Sequence, residues 1–273
     1  MKRSLKERLT GWFNTTSKNQ SILIVGMPKT GTTALYYSIK SALPDNSPCY
    51  FEPDPEQFKY PEKAEGPVMV KTFFQMYEKY KYFEKKILIT RDPRDQILSE
   101  IMYYPYVAIT GKIFDSEQKL SRYLDNINRL VKLKEQDPGA VTVRQLDELT
   151  PIDRGKIYSR KLIDFYTDNP DIFLIRYEDM VDDKLEDLNE YLGLKVKSIE
   201  EVPEKRVMRT KSYNNWKNWF TDEDADYFKG FFKPYMENFG YKNDWALNSH
   251  PSIDPNESSG YLERIIAEAK NQK

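Results

Sequence analysis

The sequence holds one cysteine and one histidine in 273 residues. Cys49 alone cannot close an intramolecular disulfide, which sets aside secreted scaffolds stapled by cysteine pairs and fits a reducing compartment. The single histidine, His250, sits in a polar stretch near the C-terminus, so histidine is not expected as a catalytic base. Long apolar runs are missing too: none approaches the roughly 20 residues of a membrane helix, and Met1-Lys2-Arg3-Ser4-Leu5-Lys6-Glu7-Arg8-Leu9 lacks the apolar core of a signal peptide. Neither charge sign dominates, since 42 Lys and Arg against 43 Asp and Glu leave a formal net charge of −1. That balance argues against bulk attraction to nucleic acid or to an anionic membrane, and any anion site must be local. These absences together predict a cytoplasmic chain with no nucleic-acid partner and no transmembrane segment. Oligomeric state is not readable from them.

What is present suits an α/β protein. An apolar content of 39% and the chain length allow one large domain. Ile22 to Val25, Val68 to Lys71, Lys86 to Thr90 and Phe173 to Tyr177 read as short strands without polar alternation, as parallel strands covered on both faces do. Helical patterns run over Thr32 to Leu43, Pro93 to Tyr104, Ser116 to Glu135, Ile152 to Thr167 and Asp183 to Tyr191, the last stopped by Gly193. Strands alternating with helices predict a central parallel sheet flanked by helices on both faces. Pro44 to Pro67 reads as irregular, and Thr221-Asp222-Glu223-Asp224 as the cap of a helix reaching about Glu237. The expected organisation is an N-terminal extension over 1–20, one domain over 21–247, and a tail over 248–273 lying on the surface with a weak helical pattern from Tyr261 to Ala269.

The most informative motif is Gly26-Met27-Pro28-Lys29-Thr30-Gly31-Thr32-Thr33, directly after an apolar strand. Gly26 and Gly31 keep the spacing of a Walker A loop, but Thr32 stands where its lysine belongs and the lysine lies inside the loop at Lys29. Backbone N–H groups of Thr30 to Thr33 at a helix start would converge on a phosphate. The arrangement resembles the 5′-phosphosulfate loop of the sulfotransferases, which use 3′-phosphoadenylyl sulfate as donor, release 3′,5′-ADP and need no metal. The resemblance implies a P-loop-like fold and donor contacts from Lys29, Thr30, Gly31, Thr32, Thr33 and Ala34.

Three further segments fall in the order of that family. Arg91-Asp92-Pro93-Arg94-Asp95-Gln96-Ile97-Leu98-Ser99 resembles its R-[ND]-P-x-D-x-x-x-S element, which implies that Arg91 and Ser99 hold the donor's 3′-phosphate. Helix capping by Asp92 and Pro93 explains part of the same segment without any ligand. Ile175-Arg176-Tyr177-Glu178-Asp179-Met180 is similar to the family's Y-E-D-M strand end, implying Tyr177 beside the adenine. Arg209-Thr210-Lys211, followed by Trp216-Lys217 and Phe220-Thr221, resembles the R-K-G element that closes over the 3′-phosphate, with the lysine displaced by one place and the glycine absent. Trp216 and Phe220 read equally as core residues.

The family's histidine motif K-T-H is here Lys71-Thr72-Phe73. Tyr50-Phe51-Glu52-Pro53 instead resembles the aromatic-Glu-Pro setting of carbohydrate sulfotransferases, which nominates Glu52 as base, with Asp54 in reserve. Phe51 and Phe58 are expected to bury Glu52 partly. Lys29 and Lys71 would meet charge developing during transfer. The acceptor, a small molecule, lipid or carbohydrate bearing a hydroxyl or amine, is expected against Tyr103-Tyr104-Pro105-Tyr106 and the helices after it. Two alternatives stand beside this reading: a P-loop nucleotide kinase, and a catalytically inactive nucleotide-binding protein.

Overall fold

The computed structural model describes residues 20–150, 154–200, 202–203 and 209–272. The extension expected over 1–20 therefore lies, apart from Gln20, outside the described residues. In chain order, β1 (Ser21–Gly26) leads to α1 (Thr32–Ala42), then β2 (Cys49–Phe51), β3 (Val68–Phe73), the short α2 (Tyr77–Tyr80) and β4 (Lys85–Thr90). Helices follow as α3 (Pro93–Thr110), α4 (Glu117–Gln136), α5 (Val143–Leu149) and α6 (Arg154–Asp168). The last strand, β5 (Phe173–Arg176), precedes α7 (Tyr177–Val181), α8 (Glu186–Leu192), α9 (Trp216–Trp219), α10 (Asp222–Asn238) and α11 (Ser259–Asn271).

The described residues pack as two compact units, a finer division than the single domain expected. The first, residues 20–90 and 169–202, contains the sheet: five parallel strands in the order β2-β3-β1-β4-β5, flanked by helices. Every β1 residue is buried, and so are Val70 and Leu88 on its neighbours as well as Met69 and Ile87. Both faces of the central strands are thus covered, which is why their sequences show no alternation. One core joins Ile22, Ile24, Met69, Ile87 and Ile89 to Leu35 and Ile39 of α1 and Leu188 and Leu192 of α8. Gly193 ends α8 at φ 67, a left-handed turn that glycine enters at no steric cost.

One strand was not expected. The Pro44 to Pro67 stretch holds β2, whose Cys49, Tyr50 and Phe51 pair with Met69, Val70 and Lys71. Three half-buried residues on a sheet edge leave no periodic signal to read. β5 also stops one residue short of Tyr177, which opens α7.

The second unit, residues 91–168 and 203–272, is helical around its own core. Asp92 caps α3 by accepting from Arg94 N, with Pro93 in the first turn, as expected. The helix continues to Thr110 instead of ending near Tyr104. Pro105 forfeits one backbone hydrogen bond, but Met102, Tyr104, Ala108 and Ile109 are buried on either side of it, and that packing outweighs the loss. In α4, Leu120, Tyr123, Ile127, Val131 and Lys134 are buried at spacings of three and four, one face of a helix. The expected start of α6 at Ile152 falls outside the described residues.

The tail corrects the sequence expectation. Tyr261, Leu262, Ile265 and Ala269 of α11 are buried in the core of the second unit, and α11 packs against α3. Each fully buried large side chain contributes on the order of 1.5–3 kcal/mol, so this is no surface appendage. Its start is held by Glu135 of α4, whose carboxylate accepts from Ser259 N at 2.7 Å, Ser259 Oγ at 3.1 Å and Ser258 Oγ. A carboxylate at a helix N-terminus answers its unpaired N–H groups and its dipole. The pattern looked weak in sequence because only four apolar residues of the helix are fully buried and a carboxylate from α4 supplies the cap.

Candidate functional site

Parallel pairing aligns the carboxyl ends of the strands in the first unit. Gly26 stands opposite Phe73 and Ile89, and Ile89 opposite Ile175. The loop after β1, Glu52 after β2 and Tyr177 after β5 therefore share the sheet edge at which α/β proteins place ligands.

The loop is built on tight backbone approaches. A Cβ at Gly26 would lie 2.7 Å from Thr32 Cγ2 and 2.9 Å from the Ile89 carbonyl, so only glycine fits. Thr30 is buried and its Oγ1 donates to the Met27 carbonyl at 2.8 Å, closing the turn from within. Lys29 adopts φ 64, a left-handed conformation unusual for a residue with a side chain, and is half-buried. Gly31, at φ 92, starts α1, whose first turn carries no acidic residue. Thr32 is buried, while Thr33 and Ala34 are half-buried on that turn. Tyr177 packs on Gly31 so closely that a Cβ there would sit 2.4 Å from the ring. Gly31→Ala is thus expected to push Tyr177 off the loop and to cost about 2 kcal/mol from backbone strain and overlap. Chemical denaturation would show it, and a midpoint equal to that of the unmodified protein would refute the contact.

Lys71 and Glu52 form a pair at the next strand. Phe51 registers opposite Lys71, and Glu52 N donates to the Lys71 carbonyl at 2.8 Å. Lys71 is 1% exposed, its Nζ ion-pairs with Glu52 Oε1, and it lies 4.5 Å from the Phe51 ring centroid and 4.6 Å from that of Phe73. A buried ammonium needs a counter-charge and gains from ring faces, and this lysine has both. The aromatic shielding expected around Glu52 falls on Lys71 instead, because Phe51 lies under the ammonium and Phe58 packs against Tyr50 and Tyr80. Glu52 itself is exposed and held at φ 47. Lys29 and Glu52 are two of the five non-glycine residues at positive φ among the described residues, and such strain concentrates at functional positions. Asp54, the reserve base, caps its own turn by accepting from Glu56 N at 2.9 Å and Gln57 Nε2 at 2.8 Å.

In the second unit two guanidinium groups converge. Arg91 is 5% exposed, its Nη2 donates to the Ser212 carbonyl at 3.4 Å, and its own carbonyl accepts from Tyr235 Oη at 3.2 Å. Arg209 donates through Nη1 to the Glu257 carbonyl at 3.1 Å, while its Nε and Nη2 are sealed from solvent with no hydrogen-bond partner. Burial and the positive charge of Arg91 pull the Arg209 pKa down, and Asp95 opposes them. Ser99 is buried on α3, two turns along from Arg91. Thr210 Oγ1 and Ser212 Oγ are 2.5 Å apart, and Lys211 is half-buried in the same segment.

Trp216 is a core residue at 1% exposure, with the Arg94 guanidinium 3.9 Å over its ring. Arg94 makes an ion pair with Asp92 at 2.6 Å. Of the expected acceptor wall, Tyr104 turns into the core, whereas Tyr103 and Tyr106 stack 5.2 Å apart and remain half-buried. Asp95 was not singled out from the sequence. It is fully buried and accepts from Asn214 N at 2.6 Å and Trp216 N at 3.0 Å. The available signal was its place on the D of the R-[ND]-P-x-D-x-x-x-S element, four residues after Arg91.

No protein-family model and no curated protein sequence matches the chain. Among solved structures, the crystal structure of mouse sulfotransferase SULT7A1 complexed with PAP is similar at 18% identity and a TM-score of 0.47, covering 86% of this chain and 91% of that one. A likeness this distant carries no argument about activity.

Proposed function

We propose that the protein is a sulfotransferase that moves a sulfuryl group from 3′-phosphoadenylyl sulfate to a hydroxyl or amine acceptor by in-line displacement. The observation that carries this reading is the Gly26–Thr33 turn, with its lysine at φ 64 inside the loop and a helix start free of carboxylates. A Walker lysine would stand at position 32, where the chain has a buried threonine. The residues fit the donor on a second count. Arg209 has two buried N–H-bearing atoms without partners beside the Arg91 charge, an arrangement that an anionic group would complete.

When bound, the donor supplies a sulfuryl group on a phosphate leaving group. The N–H groups of Thr30 to Thr33 and the side chain of Lys29 take its 5′ end, with Ala34 in the same turn and Tyr177 against the adenine. Arg91, Ser99, Arg209, Thr210 and Lys211 take the 3′-phosphate. Glu52 removes the proton from the acceptor hydroxyl or amine, a step worth typically about 10²–10⁴-fold. Lys29 meets the charge that develops on the bridging oxygen, and Lys71 that on the sulfuryl oxygens. No residue in this scheme requires a metal. Among the described residues no helix is long and apolar enough to cross a membrane, and we place the reaction in the cytoplasm with a small-molecule, lipid or carbohydrate acceptor.

Thermal shift tests the donor assignment. 3′,5′-ADP without magnesium should raise Tm by several degrees at about 100 times its Kd, whereas 5′-ADP should do so less. Stabilisation by ATP with magnesium and none by 3′,5′-ADP would replace this reading with a kinase.

A further inference from the structure

We propose that Asp95 is a positioning residue for phosphate recognition, clamping the 209–216 segment so that Arg209 is held with Arg91 before any ligand arrives. The inference rests on the sulfotransferase reading and adds to it a residue that does not touch the donor. Asp95 lies in the first turn of α3, with 0% exposure, and spends both carboxylate oxygens on one loop: Oδ2 accepts from Asn214 N at 2.6 Å, and Oδ1 from Trp216 N at 3.0 Å. Between these two bonds the chain turns at Asn214, which is held at φ 63. Asparagine enters this left-handed region more readily than most residues, and the two bonds to a buried carboxylate fix the turn here.

The anchor is rigid on its far side, where the Trp216 ring lies under the Arg94 guanidinium and Trp216 is 1% exposed. On the near side the segment touches Arg91 through the Ser212 carbonyl and ends at Arg209, whose Nη1 reaches the Glu257 carbonyl. Two guanidinium groups brought together repel, and the Asp95 carboxylate acts on both of them. The Asp95 carboxylate partly offsets that repulsion and so lets the two guanidinium groups stand together. Pre-organisation of this kind lowers the cost of ordering the loop when the anion binds.

A purely structural aspartate would affect stability and leave ligand discrimination alone. The test is calorimetric titration of 3′,5′-ADP and of 5′-AMP, which lacks the 3′-phosphate, into the unmodified protein, Asp95→Ala and Asp95→Asn. The unmodified protein should prefer 3′,5′-ADP by on the order of 10²-fold, and Asp95→Ala should lower that preference at least about tenfold with 5′-AMP affinity unchanged. A preserved preference in Asp95→Ala overturns the inference and leaves the sulfotransferase reading intact. Absence of any preference in the unmodified protein overturns that reading first. Should Asp95→Ala fail to fold by circular dichroism, Asp95→Asn decides: it keeps the size and one acceptor, and its preference should fall by about threefold or more. An unchanged preference there overturns the inference too.

Discussion

Replacing Lys29 by alanine should lower kcat/KM for sulfuryl transfer by on the order of 10²–10³-fold and also weaken 3′,5′-ADP binding, while Glu52→Gln should suppress turnover and leave that binding within about threefold. The split follows from where the two side chains stand. Lys29 belongs to the loop proposed to hold the donor's 5′ end, and its φ of 64 sets the backbone in a left-handed turn there. Its loss removes charge from both the bound donor and the transition state, so affinity and rate fall together. Glu52 lies on a different strand end, after β2, and in the proposed reaction its task is the acceptor's proton and not the donor. Glutamine keeps its shape but cannot accept a proton, which predicts a loss of about 10²–10⁴-fold in kcat. Glu52→Gln also leaves Lys71, 1% exposed, without its counter-charge, so a drop in Tm is expected. For that reason 3′,5′-ADP binding is the control: it lacks the sulfuryl group that Lys71 would face and reports whether the loop is still formed. Full turnover in Glu52→Gln would remove it as the base, and unaltered 3′,5′-ADP binding in Lys29→Ala would remove the loop as the donor site.

How much of this was legible in the sequence depends on how local the cause was. Four strands and the long helices declared themselves through unbroken apolar runs or spacings of three and four, and the caps at Asp92 and Thr221 stand where the sequence put them. The motif residues were legible as types at fixed spacing. The causes that stayed hidden act across the chain. β2 exists only because β3 offers an edge to three half-buried residues. The last helix has only a weak pattern of its own and takes its cap from Glu135. The shielding of Lys71 by Phe51 and Phe73 depends on strand register, which no window of the sequence contains. Asp95 looked like a helix-start acid, and its two loop partners lie about 120 residues onward.

The largest effect on stability should come from Asp224→Ala, at a residue with no role in the proposed donor or acceptor site. Asp224 has 0% exposure and caps two helices at once. Within its own helix it completes the capping box of α10, accepting from Thr221 N at 3.0 Å while its N–H donates to Thr221 Oγ1 at 3.2 Å. It also accepts from Val143 N and Arg144 N, both at 2.9 Å, the first two N–H groups of α5, whose own cap Thr142 serves only Gln145 N. Alanine leaves three buried or half-buried N–H groups with no acceptor, each costing about 1–3 kcal/mol. It also takes a negative charge away from Lys134, a fully buried ammonium whose pKa burial pushes down to about 8 and Asp224 pushes back up. Together these predict a loss of about 4 kcal/mol and on the order of 10 °C in Tm. Asp224→Asn, which retains one acceptor and the shape, should cost about half as much. Asp115 gives the contrast, since its 2.6 Å pair with Lys119 is exposed on both sides and Asp115→Ala should change stability by less than about 0.5 kcal/mol. Calorimetric melting of the three variants decides it: an Asp224→Ala midpoint within about 2 °C of the unmodified protein would mean that water or a neighbouring side chain takes over the orphaned N–H groups.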